Sequence, residues 1–118
     1  MRVLSIALQA FALAAVAFSA APAQGQGANK GWWVVVASYP ADPPERQRAD
    51  LARTEAAAAR CGARTFNDLS LKFRGFAPGY NVFVVGAYGE RSAAERKARE
   101  LKPCFPGAYV KYGEHLGE

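Results

Sequence analysis

Few side chains in this chain could do chemistry, and their spacing limits what that chemistry is. There is one histidine, His115, close to the C-terminus, and there are two cysteines, Cys61 and Cys104. A single histidine outside the expected core cannot complete a Ser-His-Asp, Cys-His or metal-ligand set. The hydrophobic pattern places no acidic residue in an apolar pocket, so a paired-carboxylate site is not indicated either. We therefore expect no catalytic residues, no metal, no cofactor and no enzymatic activity.

Residues 1–23 have the pattern of a secretory signal peptide. Arg2 precedes an apolar run over residues 4–20, which is followed by the small residues Ala21-Pro22-Ala23. The run is short, rich in alanine and without a basic stop-transfer flank, which disfavours a membrane-spanning helix. We expect cleavage at this point, a flexible lead-in over residues 24–31, and an exported protein, periplasmic or extracellular, with no membrane span in its mature form.

Export determines the expected state of the two cysteines. An oxidising compartment favours a disulfide, so Cys61 and Cys104 are predicted to be bonded to each other. A mature chain of about 90 residues has a core of marginal size, and a disulfide closing a loop of about 43 residues would add about 4 kcal/mol of stability. A redox pair is the alternative, but neither cysteine lies in a C-x-x-C motif.

Hydrophobic periodicity predicts the elements that would position these residues. Residues 32–39 and 80–88 are strands rich in valine and aromatic residues, and each leads through a polar turn into an Arg- and Ala-rich helix. Residues 65–74 alternate apolar with polar side chains, as in a half-buried strand, and residues 108–112 form a short last strand. The order β-α-β-β-α-β predicts an α+β fold: a ferredoxin-like, four-stranded antiparallel or mixed sheet with both helices on one face.

This topology also makes predictions about the helices. Asp42 and Glu45 have capping-box spacing at the start of the first helix, and the first and third strands should lie side by side. The two cysteines then fall at the same end of the domain. Small residues at helical spacing predict the stripes that pack on the sheet, namely Ala49, Ala52, Ala56 and Ala59 in the first helix and Ala94, Ala98 and Leu101 in the second.

The repeated strand pattern resembles that of the SPOR family, small bacterial envelope domains with the same β-α-β-β-α-β order. The family's first strand typically reads Val-Gln-Val-Gly-Ser-Phe and its third Arg-Val-x-Val-Gly-Pro-Phe, where this chain has VVVASY at 34–39 and VFVVGAY at 82–88. The resemblance implies a SPOR-like domain over residues 32–112, followed by a tail over residues 113–118. It also implies binding of peptidoglycan glycan strands, stripped of stem peptides, on the sheet face opposite the helices. Val35 and Val82 stand where the family has Gln and Arg.

Strand alternation identifies the side chains on that open face. An apolar centre with an aromatic and basic margin usually contacts something. A sugar ring stacking on Trp33 or Tyr109 is one interpretation, and docking of an envelope protein or a second copy on the aliphatic centre is another. In the third interpretation, residues 75–79, which include Phe76, fold over the patch and extend the core. The candidate ligand-binding residues are Trp33, Val35, Lys72, Arg74, Tyr80, Val82, Val84, Tyr109 and Lys111.

Charge narrows the class of partner. The chain carries a net charge of +5, which the loss of Arg2 lowers to +4, and such an excess favours an anionic envelope surface. No nucleic acid is expected, since an RNA-binding aromatic motif is missing and the leader takes the chain out of the cytoplasm. The expected function is a monomeric, non-catalytic envelope module that binds peptidoglycan or another wall glycan. A protein-interaction or self-association domain is the alternative.

Overall fold

The computed structural model describes residues 29–117, so the predicted signal peptide and residues 24–28 of the predicted lead-in lie outside the described residues. This part of the chain has a mixed α+β fold, in which two α-helices accompany a curled, five-stranded antiparallel sheet. The helices are α1 (Gln47–Arg60) and α2 (Arg91–Leu101). The strands are β1 (Lys30–Pro40), β2 (Phe66–Leu69), β3 (Phe73–Arg74), β4 (Tyr80–Tyr88) and β5 (Tyr109–His115).

The strands lie in the order β2-β4-β1-β5-β3, and every neighbouring pair is antiparallel. The predicted adjacency of the first and third strands is confirmed, because β1 pairs with β4 through contacts such as Val35 opposite Val84. The prediction of four strands is wrong. The segment predicted as one strand over residues 65–74 is divided by a 3-10 turn, Ser70–Lys72, into β2 and β3. Its first half pairs with β4 and its second half with β5, at opposite edges of the sheet.

The division at the turn follows from local contacts that alternation does not reveal. Ser70 is buried, and its Oγ accepts a hydrogen bond from the backbone N–H of Tyr80 at 3.0 Å. Leu71, which one continuous strand would bury, is 61% exposed, whereas Phe73 is only 2% exposed. The chain therefore changes direction at the turn and crosses the face of the sheet.

On one face of the sheet, the helices cover a first core. Val34, Val36 and Phe83 are buried there, as strand alternation predicts. The buried stripe predicted for α2 is also confirmed, because Ala94, Ala98 and Leu101 all pack into this core.

The predictions for α1 are wrong in two respects. A 3-10 turn, Pro44–Arg46, precedes the helix, and no side chain caps either element. Its four predicted alanines are exposed, and it buries Asp50, Thr54 and Ala58 instead. The hydroxyl of Thr54 lies 3.0 Å from that of Tyr39, and Asp50 pairs with Arg53 at 2.7 Å. The face of α1 that packs on the sheet is therefore the one that carries Thr54 and Ala58, and not the stripe of the four alanines.

The ends of the domain differ in part from the prediction. The disulfide between Cys61 and Cys104 is present, with 6.2 Å between the Cα atoms, and it joins the end of α1 to the chain after α2. β1 begins at Lys30, so the last two residues of the predicted lead-in, 30 and 31, belong to the sheet. β5 continues to His115, so residues 113–115 belong to the sheet rather than to a tail. Within residues 29–117, no helix is long and apolar enough to cross a bilayer.

Candidate functional site

The sheet face opposite the helices is not open. Trp33, Val35, Val82 and Val84 lie there with 0–4% of their surfaces exposed, in a second core that also contains Phe73 and Ala87. The expectation that these four candidate residues are exposed is therefore wrong. Docking of a partner on the aliphatic centre requires the same side chains at the surface, so this geometry does not favour it.

This face is covered by residues 66–79, which we call the covering segment. It runs from β2 to the loop before β4. The ring of Phe73 lies 5.4 Å from that of Trp33 and stacks on Phe76 at 4.5 Å. The interpretation in which residues 75–79 fold over the patch is thus confirmed, although the cover begins earlier in the chain. Gly113 allows the close approach, since a Cβ atom there would lie 2.7 Å from Cε1 of Phe76.

Polar contacts complete the closure. Nε2 of His115 in β5 lies 2.9 Å from Oδ2 of Asp68 in β2, and the histidine ring packs against Phe66 and Phe73. The indole N–H of Trp33 donates to the carbonyl of Gly113 at 3.0 Å. His115 therefore connects the end of β5 to the covering segment. The sequence predicts a tail at this position.

A groove remains at one end of this face. It encloses about 360 Å³ between the end of β1, the beginnings of β4 and β5, and the covering segment. It brings together four of the candidate ligand-binding residues, which lie far apart in the sequence. Its lining consists of Ser38, Ser70, Phe76, Ala77, Tyr80, Val82, Tyr109 and Lys111.

The chemistry of the groove is aromatic and polar. Tyr80 and Tyr109 are 42% and 50% exposed, so their rings are available to a ligand, whereas Val82 is buried beneath them. Ser38 is exposed at the end of β1, and Lys111 is half-buried. Lys111 is the one charged side chain in this lining. Such a groove can bind a ring with apolar faces and polar substituents.

Besides the three candidates in the second core, Trp33, Val35 and Val84, the two basic candidates Lys72 and Arg74 do not line the groove. Arg74 is paired with Glu114 across β3 and β5 at 3.3 Å, on an exposed surface. Lys72 lies in the 3-10 turn, where its carbonyl accepts a hydrogen bond from Leu116. The basic margin expected from the sequence is therefore reduced to Lys111 at the groove.

Sequence reasoning missed part of the lining. Ser38 was not among the candidate residues, and Phe76 entered only through the interpretation in which its loop covers the sheet. Ser70 and Ala77 carry no signal of their own, because the turn and loop that position them depend on contacts distant in sequence. The sole available signal is the motif Pro78-Gly79-Tyr80, which predicts a turn that leads a tyrosine into a strand.

Shifted pKa values occur on the helix side of the sheet. Burial raises the pKa of the Tyr88 phenol, and a hydrogen bond to Glu100 raises the pKa of Lys97. Both groups lie by α2, on the far side of the sheet. Among residues 29–117, no group of three or more His, Cys, Asp or Glu side chains is placed to hold a metal ion.

Comparison of the chain with models of protein families, with curated proteins and with solved structures found no significant match. The groove and the strand motifs are therefore the features of this chain that indicate a function.

Proposed function

We propose that the protein is a non-catalytic envelope module that binds peptidoglycan glycan strands in the groove beside the covering segment. The observation that carries the proposal is that Tyr80 and Tyr109, from different strands, present exposed rings to one concavity of about 360 Å³. Ligand sites in proteins commonly measure about 300–1,000 Å³. The ferredoxin-like, SPOR-like interpretation of the fold supports the same class of ligand.

The chemistry of the lining suits a sugar. A pyranose ring has C–H faces that stack on aromatic rings, and its hydroxyl groups need hydrogen-bond partners once they leave water. The hydroxyls of Ser38 and the two tyrosines can provide those partners at the rim. The apolar floor formed by Val82 and Phe76 excludes water from beneath the ring.

The proposed contact surface differs from the one that the resemblance to the SPOR family implies. The central side chains of the sheet, Trp33, Val35 and Val84, stabilise the second core and do not contact the glycan. Tyr80, Tyr109 and Lys111 keep their proposed role as contacts, and Val82 contributes from below. The departures from the family at Val35 and Val82 are consistent with this arrangement, because both aliphatic side chains are buried under the covering segment.

Export is part of the proposal, and the disulfide between Cys61 and Cys104 supports it. Disulfides persist in oxidising compartments such as the periplasm and the extracellular space. A wall-binding protein has its ligand in the same place.

The proposal is tested by sedimenting the purified protein with peptidoglycan sacculi, both intact and freed of stem peptides by amidase. Tyr80→Ala and Tyr109→Ala should each weaken binding to the amidase-treated wall by about fivefold or more. Tyr112→Ala is the matched control, since Tyr112 is 46% exposed on the opposite face of β5 and should bind as the wild type does.

Two results would contradict the proposal. In one, the wild type sediments with neither form of the wall. In the other, the two groove variants bind as strongly as the Tyr112 variant.

A further inference from the structure

We propose that the ligand of the groove is an acidic saccharide and that the ammonium group of Lys111 binds a carboxylate of the sugar. This inference rests on the proposed glycan-binding function and specifies the chemical class of its ligand.

Lys111 brings a positive charge to the groove. Lys111 is half-buried in β5, directly opposite Trp33 of β1, and the groove lining contains no Asp or Glu. Among residues 29–117, Lys111 forms no ion pair, in contrast to Arg74 with Glu114 and Lys97 with Glu100. The ammonium group of Lys111 thus has no anionic partner among the described residues, and a carboxylate of the ligand would give it a charge-assisted hydrogen bond.

The strand places this charge where a bound sugar would meet it. Tyr109 and Lys111 are two residues apart in β5, so their side chains lie on the same face of the sheet. Their Cα atoms are separated by about 7 Å along the strand. A sugar ring stacked on Tyr109 would thus direct a substituent toward the ammonium group. Both side chains line the groove, which indicates that one ligand contacts them together.

Peptidoglycan offers carboxylates from two sources. Hydrolysis of the amide bond that links a stem peptide to the glycan adds water and leaves a carboxylate on the lactyl group of the sugar and an amine on the peptide. The stem peptides also carry carboxylates of their own. The groove is proposed to bind the glycan carboxylate, because the ring that stacks on Tyr109 and the charge near Lys111 then belong to one sugar.

The experiment compares three preparations of sacculi. The first is intact, and the second has been freed of its stem peptides by amidase. The third is the amidase-treated wall whose carboxylates have been converted to neutral methylamides by carbodiimide coupling with methylamine. The wild type should bind the amidase-treated wall at least about tenfold more tightly than the neutralised wall. Lys111→Met should bind the amidase-treated wall as weakly as the wild type binds the neutralised wall, and neutralisation should change its binding little further. Lys111→Arg should retain the preference of the wild type.

Lys102→Met is the control for net charge. Lys102 is exposed after α2, where its Nζ donates to the carbonyl of Pro106, and its replacement should leave the preference unchanged.

Three results would overturn the inference, and they differ from one another. Equal binding of the wild type to the charged and neutralised walls would refute the carboxylate and leave glycan binding in place. Tighter binding to intact than to amidase-treated sacculi would assign the carboxylate to the stem peptides. No binding to any of the three preparations would refute the proposed function itself.

Discussion

At the scale of single residues, the contact between Asp68 and His115 connects β2 to β5. These two strands lie on either side of the neighbouring strands β4 and β1. Oδ1 of Asp68 accepts a hydrogen bond from the N–H of Leu69 at 2.8 Å, and Oδ2 lies 2.9 Å from Nε2 of His115. A hydrogen bond between these two atoms has Nε2 of His115 as the donor when the carboxylate is the acceptor. Both side chains are largely shielded from water, so the contact contributes more than an exposed pair would.

Asp68→Ala should lower the free energy of unfolding by about 1–3 kcal/mol, since it removes two hydrogen bonds and leaves the partly buried His115 without its acceptor. Urea denaturation of the two proteins at neutral pH measures the difference. Asp42→Ala is the control: Asp42 is exposed and caps no helix, so the change expected there is within about 0.5 kcal/mol. Equal stability of the two variants would show that the contact with His115 does not hold the sheet closed.

At the scale of elements, the covering segment contributes to both the second core and the groove. It carries β2 at one edge of the sheet and β3 at the other, and its aromatic side chains fill the space between them. The same segment supplies one wall of the groove through Ser70, Phe76 and Ala77. The stability of the second core and the shape of the groove therefore depend on the same stretch of chain.

Phe73→Ala should cost about 3–5 kcal/mol of stability, because the side chain is buried against Trp33 and Phe76. The cavity should also loosen Trp33, which near-ultraviolet circular dichroism detects. Leu71→Ala, two residues earlier and largely exposed, should change the stability by no more than about 0.5 kcal/mol. A Phe73 variant as stable as the Leu71 variant would mean that the segment does not pack on the sheet.

The disulfide links the end of α1 to the chain that follows α2. Replacing both cysteines with alanine should lower the stability by about 4 kcal/mol, because the bridge closes a loop of 43 residues. Thermal unfolding of the variant should match that of the wild type under a reducing agent. If reduction leaves the wild type unchanged while the variant is destabilised, the loss comes from altered packing rather than from the bridge.

At the scale of the whole molecule, the last residues of β5 contact both the neighbouring strands and the covering segment. Gly31 of β1 pairs with Gly113, and Arg74 of β3 pairs with Glu114. The carbonyl of Gly113 accepts the indole N–H of Trp33, and His115 contacts the covering segment. The boundary predicted at residue 112 would therefore cut through the structure.

A chain that ends at Tyr112 should lose about 3 kcal/mol of stability or more, because it leaves the indole N–H of Trp33 buried without an acceptor and removes the contact to Asp68. A chain that ends at Gly117 should unfold at the same urea concentration as the full chain. Coincident unfolding curves for the two shortened chains would restore the predicted boundary.

Local patterns predicted much of this fold, and long-range packing explains where they failed. Val34, Val36 and Phe83 follow the strand period, and the small residues of α2 follow the helical period, so their burial was predictable. The period also assigned Tyr109 and Lys111 to one face. It does not tell whether that face is covered, because the cover comes from residues 66–79, whose turn depends on the contact between Ser70 and Tyr80. For the same reason, Trp33 was assigned to a ligand surface when it belongs to a core.

The described chain enters and leaves the sheet at the same place. The carbonyl of Asn29 accepts a hydrogen bond from His115, and Lys30 pairs with Glu114. The groove extends from Ser38, eight residues and roughly 26 Å further along β1, back to Lys111, which lies opposite Trp33 and three residues from Glu114. A tag or fusion at either end of the described chain would thus lie nearer to Lys111 than to Ser38. A long flexible linker would therefore be needed to keep the whole groove accessible to an insoluble polymer.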